Sequence, residues 1–181
     1  IVLKEDDELI RLKSTDGNRE IVIGASNGRL VRFNENEVRC MGRSSSGVKG
    51  MELDGSIVVG AEVVSSGDMV LIVTENGYGK QTVVDEYRLT HRGSKGVKTL
   101  NSTDKTGNIV AFKVVNDEED LMIITNSGMV IRIPISQISV MSRVTQGVRL
   151  ISLKDEQKVT SVFNIPKEEN VSNDESNEEK N

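Results

Sequence analysis

The sequence predicts an all-β chain of about three four-stranded, propeller-like blades, and three observations carry that prediction. One loop recurs three times, as Arg43-Ser-Ser-Ser-Gly47-Val48-Lys49, Arg92-Gly-Ser-Lys-Gly96-Val97-Lys98 and Arg143-Val-Thr-Gln-Gly147-Val148-Arg149. Its arginines stand 49 and 51 residues apart, a period that suits a four-stranded blade. Short β-branched runs flank a turn signal at a fixed phase before each arginine, and no segment sustains a 3.6-residue period.

The elements follow in order within each period. Ile1-Val-Leu3, Met51-Glu-Leu53 and Ile151-Ser-Leu153 share one phase. A strand is then expected at Glu8-Leu-Ile-Arg-Leu12, at Ile57 to Val64 and at Ile109 to Val115, with turns at Asp16-Gly17, Ser66-Gly67 and Asn116-Asp117. Next come the buried runs Glu20-Ile-Val-Ile-Gly24, Met69-Val-Leu-Ile-Val73 and Leu121-Met-Ile-Ile-Thr125. Asn27-Gly28, Asn76-Gly77 and Ser127-Gly128 turn each run back into a more polar strand, because such turns need positive φ. A single helical turn near Val38, Tyr87 and Ile138 introduces each loop. The repeats run 1–50, 51–101 and 102–151, and Val159 to Ile165 (159–165) reads as a closing strand. One blade cannot bury both faces alone, so neighbours must cover each other. Blades are expected over 1–166, and an acidic disordered tail over 167–181. The chain also opens inside what reads as a strand, so an excerpt of something longer is expected.

Charge and chemistry narrow the function. The net charge is −5, but the tail holds six acids and two lysines, leaving the other residues near −1. One cysteine, Cys40, excludes an internal disulfide framework and reads as a small buried hydrophobe. No apolar run is long enough to cross a bilayer as a helix. Gly42 to Gly47 has P-loop spacing, but Val48 stands where the lysine is required. The lone His91 and the carboxylate runs Asp6-Asp7-Glu8 and Glu118-Glu119-Asp120 have no convergent partner, so no catalytic or metal site is expected.

The basic residues carry more. Arg39, Arg43 and Lys49 flank the first loop, Arg88, Arg92, Lys95 and Lys98 the second, Arg143 and Arg149 the third. Stacked repeats would align these cations along one edge, matching the charge density of duplex DNA. The loop glycines Gly47, Gly93, Gly96 and Gly147 would let backbone N–H groups approach phosphate. Nothing in the loops reads base edges, so contacts should be indifferent to sequence. Edge protection of exposed sheets is the alternative use of such cations.

Thr74-Glu-Asn-Gly-Tyr-Gly-Lys80, Tyr87-Arg88, Arg92-Gly-Ser-Lys-Gly-Val97 and Asn27-Gly-Arg-Leu-Val-Arg-Phe33 resemble the C-terminal domain of the A subunit of bacterial DNA gyrase. The resemblance covers about residues 1–166. It implies a β-pinwheel, usually of six blades, that wraps duplex DNA around a basic perimeter and so supports ATP-dependent negative supercoiling. It implies no cofactor in this chain, with ATP and Mg used elsewhere in the holoenzyme. It also implies as partners the remainder of the A subunit, together with the B subunit, in an A2B2 assembly that is cytoplasmic and nucleoid-associated. The family's box, Gln-Arg-Arg-Gly-Gly-Arg-Gly, has no full copy. Thr90-His-Arg-Gly-Ser-Lys-Gly96 comes nearest, keeping Arg92, Gly93 and Gly96 and a basic residue at Lys95. The resemblance therefore implies the later half of such a domain. The topoisomerase IV relative and a propeller-like protein-interaction scaffold are the competing readings.

Overall fold

A computed structural model describes residues 1–167. The expected acidic tail lies, from residue 168 onward, outside the described residues. Among the described residues eleven strands carry the fold: β1 (Glu20–Ala25), β2 (Arg29–Asn34), β3 (Val58–Val64), β4 (Met69–Thr74), β5 (Tyr78–Val83), β6 (Val97–Lys98), β7 (Ile109–Val115), β8 (Glu119–Thr125), β9 (Val130–Pro134), β10 (Val148–Arg149) and β11 (Val159–Pro166). Three 3-10 turns, Glu35–Glu37, Val84–Glu86 and Ile135–Gln137, precede the loops, one residue before Val38, Tyr87 and Ile138. Among the described residues no helix is long and apolar enough to cross a membrane.

Each of the hairpins β1–β2, β4–β5 and β8–β9 is antiparallel. Their turn glycines Gly28, Gly77 and Gly128 have φ of +80°, +79° and +79°, a region costly for other residues. The sheets are built across repeats. The first has the order β3-β1-β2-β6, so both outer strands come from the second period. The second, β10-β5-β4-β7, likewise borrows from the third period. The third, β11-β8-β9, has three strands among the described residues, not the expected four. In it β11 takes the place that β3 and β7 hold, paired with the first strand of a hairpin.

The same rule corrects one expected strand. Glu8 to Leu12 has the phase of β3 and β7, which pair with the hairpin of the period before them. Among the described residues no such hairpin precedes residues 8–12, and the segment forms no strand and is exposed. Lacking a ladder, it still lies along β3, where Arg11 and Lys13 both reach the buried carboxylate of Glu62 at 2.6 Å.

The cores lie between the sheets. Along β4, Val70 and Ile72 pack toward the first sheet with Val22, Leu30, Tyr87 and Phe112. Leu71 and Val73 pack toward the third with Leu121, Ile123, Ile135 and Val162. A strand buried on both faces needs an unbroken apolar run, and Met69 to Val73 supplies one. Burying each such side chain contributes about 1.5–3 kcal/mol. Met51 and Leu53 cap the outer face of the first sheet over Val31 and Phe33. Cys40 is exposed, contrary to the expected burial, because it lies in the open stretch between a 3-10 turn and the first loop.

Candidate nucleic-acid interface

The three loops do not stand apart. The second docks on the first hairpin through β6, with Leu30 opposite Val97 and Arg29 opposite Lys98. The third docks on the second hairpin through β10, with Gly79 opposite Val148 and Tyr78 opposite Arg149. The first has no preceding hairpin, and Val48-Lys49 forms no strand.

This docking gives Gly96 and Gly147 a structural role beside the expected one. Gly96 and Gly147 have φ of +66° and +76°. A Cβ on Gly147 would lie 2.6 Å from the Gly79 carbonyl oxygen, and one on Gly96 would run into that of Leu30. These two glycines let a loop approach a strand closely. Gly47 has φ +85° and open space around it, as its undocked loop requires. Gly93 also has positive φ and sits over the Lys49 backbone.

The arginines join the loops in series. Arg92 donates from Nε to the Glu37 carbonyl at 3.0 Å and from Nη1 to the Lys49 carbonyl at 3.1 Å. Arg143 donates from Nη1 to the Lys98 carbonyl at 3.2 Å. Each guanidinium thus holds the basic residue that ends the loop before it. The carboxylates of Glu37 and Glu86 accept from the backbone N–H of Arg92 and Arg143 at 3.1 and 3.0 Å, fixing where each loop begins. Arg92 and Arg143 are partly buried by these contacts, whereas Arg43, Arg88, Lys98 and Arg149 are exposed. Arg43 makes no hydrogen bond or ion pair among the described residues.

Local acids shade two of the cations. Lys49 pairs with Glu52 at 3.2 Å and Lys95 with Asp54 at 3.5 Å, all four side chains being well exposed. Exposed pairs of this kind contribute about 0–1 kcal/mol, so a phosphate can displace the carboxylate. A cavity of about 530 Å³ opens beside the second loop, lined by Arg88, His91, Ser94, Lys95 and Glu37. The Ser94 hydroxyl has no partner among the described residues. His91 is exposed, with Nδ1 3.2 Å from Glu37.

With that geometry in view, a family model described as "DNA gyrase C-terminal domain, beta-propeller" matches residues 19–65, 68–116 and 119–166. The chain belongs to the DNA gyrase C-terminal domain family. It is 49% identical over 172 residues to the DNA gyrase A subunit of Staphylococcus epidermidis, a match covering 93% of this chain and 19% of that protein. The chain thus spans about a fifth of the length of the curated relatives it matches. A solved gyrase A C-terminal domain superposes with a TM-score of 0.74 at 25% identity, covering 81% of this chain and 50% of that one. The C-terminal domain of topoisomerase IV gives 0.83 at 24% identity, over 91% of this chain and 52% of that one, and shows the shared fold.

In this gyrase-family domain the sequence concealed several residues that organise the loops. Arg32 of β2 reaches the next repeat, donating from Nη1 to the carbonyls of Val84 at 2.8 Å and Tyr87 at 3.0 Å. Gln81 of β5 makes the same pair of bonds one repeat later, from Nε2 to Ile135 at 2.9 Å and Ile138 at 3.0 Å. Lys80 is wholly buried, and its amino group donates to the Ser142 carbonyl at 2.6 Å and to that of Arg143. Lys4, which the linear sequence puts far from the loops, lines a cavity with Lys49, because Val2 donates to the Ser45 carbonyl. A polar residue inside the apolar run Leu30-Val-Arg-Phe33 is the signal that could have pointed to Arg32, whereas Lys80 sits among polar neighbours and gave none.

Proposed function

We propose that the chain binds duplex DNA through its phosphate backbone, along the row of loops, without sequence preference, and bends it around the blade perimeter. The observation that carries this reading is the serial linkage of the loops. Arg92 holds the Lys49 carbonyl and Arg143 holds that of Lys98, so each loop is bonded to the one before it, which supports reading their cations as one row. Arg43, Lys49, Arg88, Lys95, Lys98 and Arg149 would touch phosphate, while Arg92 and Arg143 chiefly position the row. Within a gyrase-type holoenzyme the bent duplex would be presented to the catalytic core and support ATP-dependent negative supercoiling. The B subunit, ATP and Mg belong to that assembly and not to this chain.

The experiment is a gel-shift titration of this chain with a mixed-sequence duplex over a range of salt. We expect tight binding at low salt, a linear fall of log affinity with log salt, and no preference between sequences. Absence of binding at low salt, or binding indifferent to salt, refutes the reading. The topoisomerase IV reading draws on the higher TM-score, but 49% identity to a gyrase sequence favours gyrase. Net negative supercoiling by the full-length protein in its holoenzyme separates the two. A pull-down of protein that survives nuclease would favour the interaction-scaffold reading.

A further inference from the structure

A second group of cations gathers at the end of the third loop, around the tip of the β4–β5 hairpin. A cavity of about 360 Å³ there is lined by Tyr78, Lys105, Arg149, Lys154 and Lys158, with Glu156 the one acid in its wall. Two of these cations address a single ring: the Lys105 amino group lies 5.4 Å and the Arg149 guanidinium carbon 5.7 Å from the Tyr78 centroid. Arg149 also donates to the Tyr78 hydroxyl at 3.1 Å. The ring face offsets part of the repulsion between two like charges, which holds them together with no carboxylate between them. That hydrogen bond, then the charges of Arg149 and Lys105, draws the phenol below its ordinary pKa.

Structural work explains only part of the cluster. Lys158 is engaged with Asn76 and, at 3.7 Å, with Glu75, so it belongs to the fold. Lys105 and Lys154 are exposed, and neither forms an ion pair among the described residues. Arg149 closes the third loop, so the cavity continues the row already described. The arrangement also has an antecedent one blade back. Arg29 stands opposite Lys98 just as Tyr78 stands opposite Arg149, and Arg29 donates to the Gly96 carbonyl at 3.3 Å.

We propose that this crevice seats a backbone phosphate of the bound duplex, forming a second line of contacts beside the arginine loops. Lys105, Lys154 and Arg149 supply the charge, and Tyr78 is the positioning residue that orients Arg149. The ligand chemistry is a phosphodiester, and the site rests on the duplex-binding reading above. An open, polar-walled cavity suits a strand passing over it better than a small molecule enclosed within it.

The test is the double variant Lys105→Glu, Lys154→Glu in the same titration. Lys167→Glu, at the far end of β11 from Lys158, is the control. We expect the double variant to bind at least about tenfold more weakly at low salt and to lower the salt slope by about 2, at ~0.9 per phosphate. Its thermal midpoint should not change, since both side chains are exposed. The control should match the parent in both readouts. If the parent binds and the double variant binds equally with the same slope, the crevice assignment is overturned and the duplex reading stands. If the parent does not bind at low salt, both fall. A second arm adds inorganic phosphate alone and follows the Tyr78 ring resonances. Saturable shifts that leave duplex affinity unchanged would make this a small-anion site and overturn the duplex assignment. Absence of saturable shifts supports it.

Discussion

At Lys80 burial and charge are in direct conflict. The residue occupies the position that Val31 holds one repeat earlier, inside β5, and its side chain has no solvent exposure. The chain keeps it because its amino group satisfies two carbonyls at the start of the third loop. Burial pushes its pKa down from 10.5 to about 8; Glu86 opposes that shift and Arg143 adds to it. The sign of the linkage follows. Below about 8 both folded and unfolded chains carry the proton, and the burial penalty is constant. Between about 8 and 10.5 the unfolded chain binds more protons, so stability from this group rises with pH. Denaturant unfolding of the parent and of Lys80→Met across that window should show the parent gaining on the variant as pH rises. Parallel profiles would mean that the amino group remains solvated.

Between elements, the joint that recurs is a donor on the second hairpin strand reaching the 3-10 turn of the next repeat. Arg32 and Gln81 make the same two bonds with different side chains, so the bonds and not the charge define the joint. Arg32→Ala would leave the carbonyls of Val84 and Tyr87 unsatisfied, and we expect a loss of about 2–3 kcal/mol in denaturant unfolding. Arg32→Gln, which copies the second repeat, should lose less than half of that. Equal losses would show that the pairing of Arg32 with Glu20, at 2.5 Å, outweighs the joint. The hairpins were legible in the sequence because β-branched runs and Asn-Gly turns are local signals. The exchange of strands between repeats was not. It depends on which hairpin lies beside β3, β6, β7 and β10, and no residue states that in advance. Glu8 to Leu12 shows the cost of this: its composition is that of a strand, yet it pairs with no hairpin among the described residues. The recurrence of Arg43, Arg92 and Arg143 was equally plain, whereas their bonds to the preceding loop's carbonyls needed coordinates.

Across the whole molecule, the proposed duplex contacts and the joints of the fold fall on the same repeated loop, and the first copy allows them to be separated. Arg92 is tied to Glu37 and Lys49, so its loss should weaken both the fold and the interface. Arg43 has the same phase in the sequence but is exposed and makes no bond among the described residues. Arg43→Glu should therefore leave the thermal midpoint unchanged while weakening duplex binding several-fold at low salt and lowering the salt slope by about 0.9. Arg92→Glu should lower the midpoint as well, by an amount corresponding to about 1–3 kcal/mol. Calorimetry and the salt titration on the same two variants check both halves of this expectation. If Arg43→Glu leaves affinity and slope untouched while Arg92→Glu lowers affinity only in proportion to the unfolded fraction, the arginines are joints of the fold alone. The duplex would then have to be held by Lys49, Arg88, Lys95, Lys98 and Arg149, the cations whose side chains the joints leave exposed.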